Sequence, residues 1–192
     1  MGKFILGVLA GVVVLLLASL CYVRFGFVDP RADMAVGSIE SKIAMPSLDA
    51  AIDRRAPAVQ NPIEPTAANL TLGARIYQAD CASCHGDIVL RHAKLAESLY
   101  PRAPQFLEDA PDMPENQNYY IIQHGIRLSG MPAWKQVLSE QEMWQVTTLL
   151  SNLDKLPPQT SDAWKAMTSG SSGAQPSPEP AKTEPKKSMS MQ

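Results

Sequence analysis

The run from Phe4 to Val23 constrains this chain more than any other stretch, because it contains neither a charge nor a proline. In hydrocarbon every backbone N–H and C=O must find its partner within the segment, and for a lone run only a helix achieves that. About 20 residues rising about 1.5 Å each cross a hydrocarbon core of roughly 30 Å. Lys3 precedes the run and Arg24 follows it. A cleaved signal peptide has an apolar region of about 7–15 residues. This run is longer, and no A-x-A-like site closes it. A lipoprotein signal would use Cys21, but the residue before a lipidated cysteine is normally small, and here it is Leu20. The expectation is a retained membrane anchor over residues 1–28. Gly7 and Gly11 match the G-x-x-x-G spacing of packed membrane helices, a weak signal in a run so rich in small residues.

Behind the anchor, residues 29–65 read as a linker. Pro30, Pro46, Pro57, Pro62 and Pro65 punctuate it and argue against any long helix. One or two helical turns fit between Ser47 and Arg55, with Ser47 as cap and Leu48 and Ile52 sharing a face at i, i+4. Fully extended, such a linker reaches on the order of 100 Å.

Residues 66–168 carry the pattern of a small helical domain. Leu72, Ile76 and Ala79 form one stripe between Thr71 and Asp80, with Gly73 and Tyr77 beside it. A second short helix is predicted from Asn118 to Gly125. The clearest helix runs from Glu140 to Leu153, where Ser139 and Glu142 fit a capping box and Met143, Val146, Leu149, Leu150 and Leu153 recur at helical spacing. No alternating strand pattern of useful length appears. Residues 169–192 turn to Ser, Gly, Pro, Lys and Glu; they lack the apolar surface to offset the entropy of ordering and read as a disordered tail.

The chain has 192 residues and a net charge of −2, so nothing global argues for nucleic acid. Its three cysteines are too few for the disulfide framework of a small secreted domain. Two of them lie in Cys81-Ala82-Ser83-Cys84-His85. A thioredoxin-like redox pair would sit in a βαβ pattern, which is missing. A zinc site would need a second ligand pair, which is missing too. Cys-x-x-Cys-His is the attachment pattern of haem c. Two residues between the cysteines in a helical turn set the sulfurs far enough apart to reach both haem vinyl groups. His85, next in the chain, is placed to bind the iron. A single covalent haem c is expected, on Cys81 and Cys84, with His85 as one axial ligand.

The second axial ligand is expected to be Met131, in Ser129-Gly130-Met131-Pro132-Ala133-Trp134. Gly130 lets the backbone approach the haem face, and Pro132 stiffens the loop that presents the sulfur. A thioether is a soft, neutral donor that raises the reduction potential. Its rivals are His92, His124 and Met113; most Met residues are core fillers, and a lone His near a core is more often structural.

Three matches carry a resemblance to the class I c-type cytochromes of the small mono-haem bacterial kind. They are Leu72-Gly73 with Tyr77, Cys81, Ala82, Cys84, His85 and Gly86; His124-Gly125-Ile126 with Ser129 to Trp134; and a closing helix with Leu138, Glu142, Trp144, Val146 and Leu150. The resemblance covers about residues 69–155. It implies an all-α fold, a small helical domain built around a covalent haem and placed here after an N-terminal transmembrane helix. In that fold the first and last helices cross near the haem edge, with Gly73 allowing the close approach and Trp144 packing against it. It also implies a proline carbonyl holding the proximal His ring, for which Pro104 in Ala103-Pro104-Gln105-Phe106 is the best match. Tyr100, Arg102 and Trp134 are candidates to contact the haem propionates.

The function expected on these grounds is one-electron transfer. With both axial positions filled, no coordination site remains for a substrate, and the chain offers no second cofactor motif and no nucleophile–base pair. The partners expected are redox proteins or membrane respiratory complexes, with no nucleic acid and no small-molecule substrate. Haem attachment to such motifs takes place, in bacteria, outside the cytoplasm, so the resemblance places the haem domain on the periplasmic side of the inner membrane. Two other readings stand beside this one: a haem enzyme or gas sensor in which Met131 does not bind, and a non-catalytic subunit of a larger dehydrogenase or oxidase.

Overall fold

The computed structural model describes residues 1–27, 31 and 37–171. Among them there are seven helices and no strand: α1 Gly2–Arg24, α2 Ser38–Arg55, α3 Ala67–Asp80, α4 Ala82–His85, α5 Glu115–His124, α6 Glu140–Leu150 and α7 Pro158–Ser171. Single turns of 3-10 helix lie at Lys94–Ser98, Trp134–Gln136 and Leu153–Lys155. The expected disordered tail falls almost wholly outside the described residues, although α7 runs past its expected start at 169.

The first helix is 23 residues long with a mean hydropathy of 2.9 over its most apolar window, and none of that window is buried in the protein. Its length and composition are consistent with a single-pass membrane anchor.

The core is built where α3 crosses α6. A Cβ on Gly73 would overlap the Gln145 carbonyl and come within 3.1 Å of Leu149 Cβ, so only glycine permits this approach. The crossing selects the buried face of α3: Leu70, Gly73, Ala74 and Tyr77. That corrects the expected stripe, since Leu72 is 40% exposed and Ala79 is exposed too. A close crossing needs small residues at the contact, and that requirement outweighs the larger side chains one position away. Thr66 caps α3, its hydroxyl accepting from Asn69 N at 3.3 Å.

The expected capping box on α6 is present. Glu142 N donates to Ser139 Oγ at 3.3 Å, and Ser139 N donates to the Glu142 carboxylate at 2.8 Å. Met143, Val146, Leu149 and Leu150 are buried as their spacing predicts. The Trp144 ring stacks on Tyr119 of α5 at 3.8 Å between centroids, within the core cluster that also holds Ala74 and Tyr77 of α3. It therefore joins α6 to α5.

Two helices depart from the expected plan. Pro46 lies inside the 18-residue α2, against the expectation that the prolines exclude a long helix. Proline costs a helix one hydrogen bond and a local clash, a penalty that tertiary contacts can offset. Ser47 is not a cap; its hydroxyl donates to Ile43 O at 2.6 Å within the helix. Leu48 and Ile52 do share the inward face, and Ile52 is 5% exposed. The other departure is α7, which packs on α3 and buries Trp164 completely. The Trp164 indole N–H and the Thr168 hydroxyl both donate to Gln78 Oε1, at 2.8 and 2.9 Å.

Candidate haem site

The Cys-x-x-Cys-His segment lies where α3 ends and the single turn α4 begins. The Cys81 carbonyl accepts from Cys84 N at 3.1 Å and from His85 N at 3.0 Å, so the two cysteines sit one helical turn apart. Gly86 ends the turn with φ +77°, and a Cβ there would overlap the Arg91 carbonyl. The Asp87 carboxylate then accepts from Val89 N and Leu90 N, each at 2.7 Å, and fixes the exit of the chain. Both thiols are free and half-buried. Burial, with smaller contributions from Asp80 and Cys84, pushes the Cys81 thiol up to about 12, so it is neutral at ordinary pH.

His85 is buried, and its Nδ1 lies 2.8 Å from the Pro104 carbonyl. A carbonyl only accepts, so Nδ1 carries the proton and Nε2 keeps its lone pair. Burial also lowers the pKa of the ring, more than the Pro104 bond raises it, which keeps the imidazole neutral. The Phe106 ring stacks on it at 4.6 Å and 11°, and the Tyr77 hydroxyl donates to the His85 carbonyl at 3.3 Å. Thus the imidazole is held by its proton, by one face and by its own backbone. This is the arrangement that orients a metal-binding histidine.

Gln105 closes the segment around the motif. Its amide donates to the Cys84 and Ala103 carbonyls at 3.0 and 2.8 Å and accepts from Ala93 N at 2.7 Å. Sequence reasoning missed Gln105 and Phe106. Both flank Pro104, and a residue next to a suspected second-sphere proline was the only available signal.

Met131 lies on a tight loop that follows α5. Gly125 ends α5 with φ +65°, where a Cβ would come within 2.6 Å of the Met131 carbonyl. Ile126 N donates to Met131 O at 3.1 Å, and Ser129 Oγ donates to Ile126 O at 2.7 Å while accepting from Met131 N at 3.1 Å. Leu99 lies over Gly130, leaving 2.9 Å for any Cβ there. Met131 itself is half-buried and packs, with Cys81, Phe106 and Trp134, against the main core.

The rival residues are engaged elsewhere. His92 is exposed, between Glu97 at 3.0 Å and Glu108 at 3.3 Å. His124 is exposed too, 3.4 Å from the Lys135 ammonium and tilted against Tyr120. Met113 lines a cleft of about 240 Å³ beside α2 with Asp49, Ile52, Asp53, Asp112 and Gln117. Of the residues considered for propionates, Arg102 pairs with Glu97 at 3.0 Å, Tyr100 faces Glu40, whose charge adds to burial in raising the phenol pKa, and Trp134 packs on the core.

Two thiols on one turn, a neutral imidazole with a free nitrogen and a thioether on a rigid loop form a donor set that fits covalent haem c. Residues 68–150 match the family described as cytochrome c oxidase, cbb3-type, subunit III. No curated protein matches the chain. The match over residues 68–150 supports a class I c-type cytochrome domain there, and such a domain suggests electron transfer by a haem protein.

Proposed function

We propose that this chain is a membrane-anchored carrier of single electrons with one haem, bound through Cys81 and Cys84 and ligated axially by His85 and Met131. Bound there, the haem supplies an Fe(II)/Fe(III) couple. The observation that carries the reading is the His85 Nδ1–Pro104 bond, because it leaves Nε2 as the free donor in a held ring. Gly125 and Gly130 support the distal half, since both permit contacts that hold the Met131 loop.

The anchor would confine the domain to the membrane plane, with the haem on the periplasmic side of the inner membrane. Its donor and acceptor would be redox proteins or respiratory complexes. A second reading, a haem subunit inside such a complex, is favoured by the description of the matched family, an oxidase subunit.

The chain's residues set the potential in opposite directions. A neutral thioether favours Fe(II) more than imidazole does. Acids outnumber bases between Asn61 and Thr168, which favours Fe(III). Those charges are solvent-screened, so the ligand effect wins and the potential is high. In the test, Cys81→Ala with Cys84→Ala abolishes haem that survives denaturing electrophoresis. Met131→His gives low-spin haem of much lower potential, and Met131→Ala opens the iron to CO. A low-spin signature lost in His124→Ala but kept in Met131→Ala would overturn the distal assignment.

A further inference from the structure

Helix α2 does more than span the distance from membrane to haem domain: we propose that it is a strap, docked on the domain, that holds the Met131 loop in place. The proposal rests on Met131 being the distal ligand. In proteins most helical stability comes from tertiary packing, and this helix of 18 residues has a proline at its middle that costs it a hydrogen bond. Its persistence therefore depends on what it touches.

Both ends of the strap meet elements that position Met131. Near its C-terminal end Ile52 is buried, Gln117 Nε2 donates to Asp53 Oδ1 at 2.7 Å, and Asn116 Nδ2 donates to Pro57 O at 3.0 Å. Both donors belong to α5, which leads through Gly125 into the Met131 loop. Near its N-terminal end Glu40 faces Tyr100, whose phenol pKa is raised by burial and then by the Glu40 charge. The neighbouring Leu99 is the side chain that covers Gly130. From Glu40 to Asp53 the helix spans about 20 Å, enough to bridge the two.

Docking also shortens the tether. Residues 25–37 alone separate α1 from α2, and thirteen residues reach at most about 45 Å. With α2 released, residues 25–60 would reach about 120 Å, since Asn61 stays bonded to Thr148. The docked strap keeps the haem domain close to the membrane, and a force that peels it off would loosen the distal ligand.

The test uses the full-length holoprotein in detergent, with amide hydrogen exchange along α2 and the thermal loss of the Met–iron charge-transfer band of the oxidised state. In the wild type, α2 amides near Ile52 are protected. Ile52→Asp raises their exchange roughly tenfold or more, leaves α3 and α6 protected, and makes the Met–iron band disappear at a lower temperature. Glu40→Ala cuts only the far end; it lowers the temperature of band loss while amides near Ile52 stay protected. It decides the matter if Ile52→Asp unfolds the domain. Unprotected α2 amides in the wild type would overturn the strap, as would a band whose thermal profile neither variant changes. A wild type with no Met–iron band but a protected α2 would overturn the ligand assignment and the coupling to it, while leaving the docking established.

Discussion

Replacing Gly73 by alanine tests the α3–α6 crossing, on which the rest of the domain is built. Two effects oppose each other. Alanine is the better helix former by about 1 kcal/mol, so an exposed Gly→Ala change in mid-helix stabilises. At Gly73 the new methyl would overlap the Gln145 carbonyl, a backbone atom that cannot rotate away, and crowd Leu149. The helices must move apart, and overpacking of this kind costs about 1–3 kcal/mol or more. A backbone clash falls at the upper end of that range, so the net effect is a loss of about 1–2 kcal/mol. For a domain of this size each kcal/mol shifts Tm by about 4–8 °C, giving a drop of roughly 5–15 °C. Thermal unfolding of the holoprotein followed by circular dichroism measures it. Leu72→Ala, one position away at an exposed site, should change Tm far less. A Gly73→Ala protein as stable as the wild type, or more so, would refute the claim that this glycine sets the crossing distance.

Trp164→Ala should cost about 3–5 kcal/mol, because the ring is fully buried, stands edge-on to Tyr77 at 5.3 Å and donates to Gln78; chemical denaturation of the holoprotein reads the loss, and a change under about 1 kcal/mol would mean that α7 is not part of the domain. The two exposed histidines should titrate on opposite sides of 6.5. Bonds to Glu108 and then Glu97 raise His92, while burial and then Lys135 lower His124. The His92 contribution to stability is thus complete below about 6.5 and fades as pH rises through its raised folded value. NMR titration checks the order, and Glu108→Gln should bring His92 down; a His124 pKa above that of His92 would contradict both contact sets.

The parts of this molecule that could be read from sequence are those encoded by neighbouring residues. Cys81 to His85 form a contiguous motif, and Ser139 with Glu142 forms a cap within one turn. Gly73 and Pro104 needed a family resemblance as well, since each acts on a residue distant in sequence: Gly73 on Gln145, Pro104 on His85. What could not be read depends on tertiary contact alone. Nothing local says that α2 tolerates Pro46, because the compensation comes from Ile52 and from Gln117 on another helix. The polar stretch around Trp164 has only two large apolar residues, Trp164 and Met167, too few to mark a buried face before Tyr77 and Gln78 are brought against it. The α3 stripe was misplaced for the same reason: periodicity favours large residues such as Leu72, whereas a close crossing selects Gly73 and Ala74.

The central claim is that one haem, covalently attached, is held between His85 and Met131. The most direct measurement is the near-infrared magnetic circular dichroism of the oxidised, intact protein, which reports the axial ligand pair. The account predicts a single low-spin His/Met haem whose signature is lost in Met131→Ala and kept in His92→Ala and His124→Ala. A bis-histidine signature, or a high-spin iron in the wild type, would contradict it.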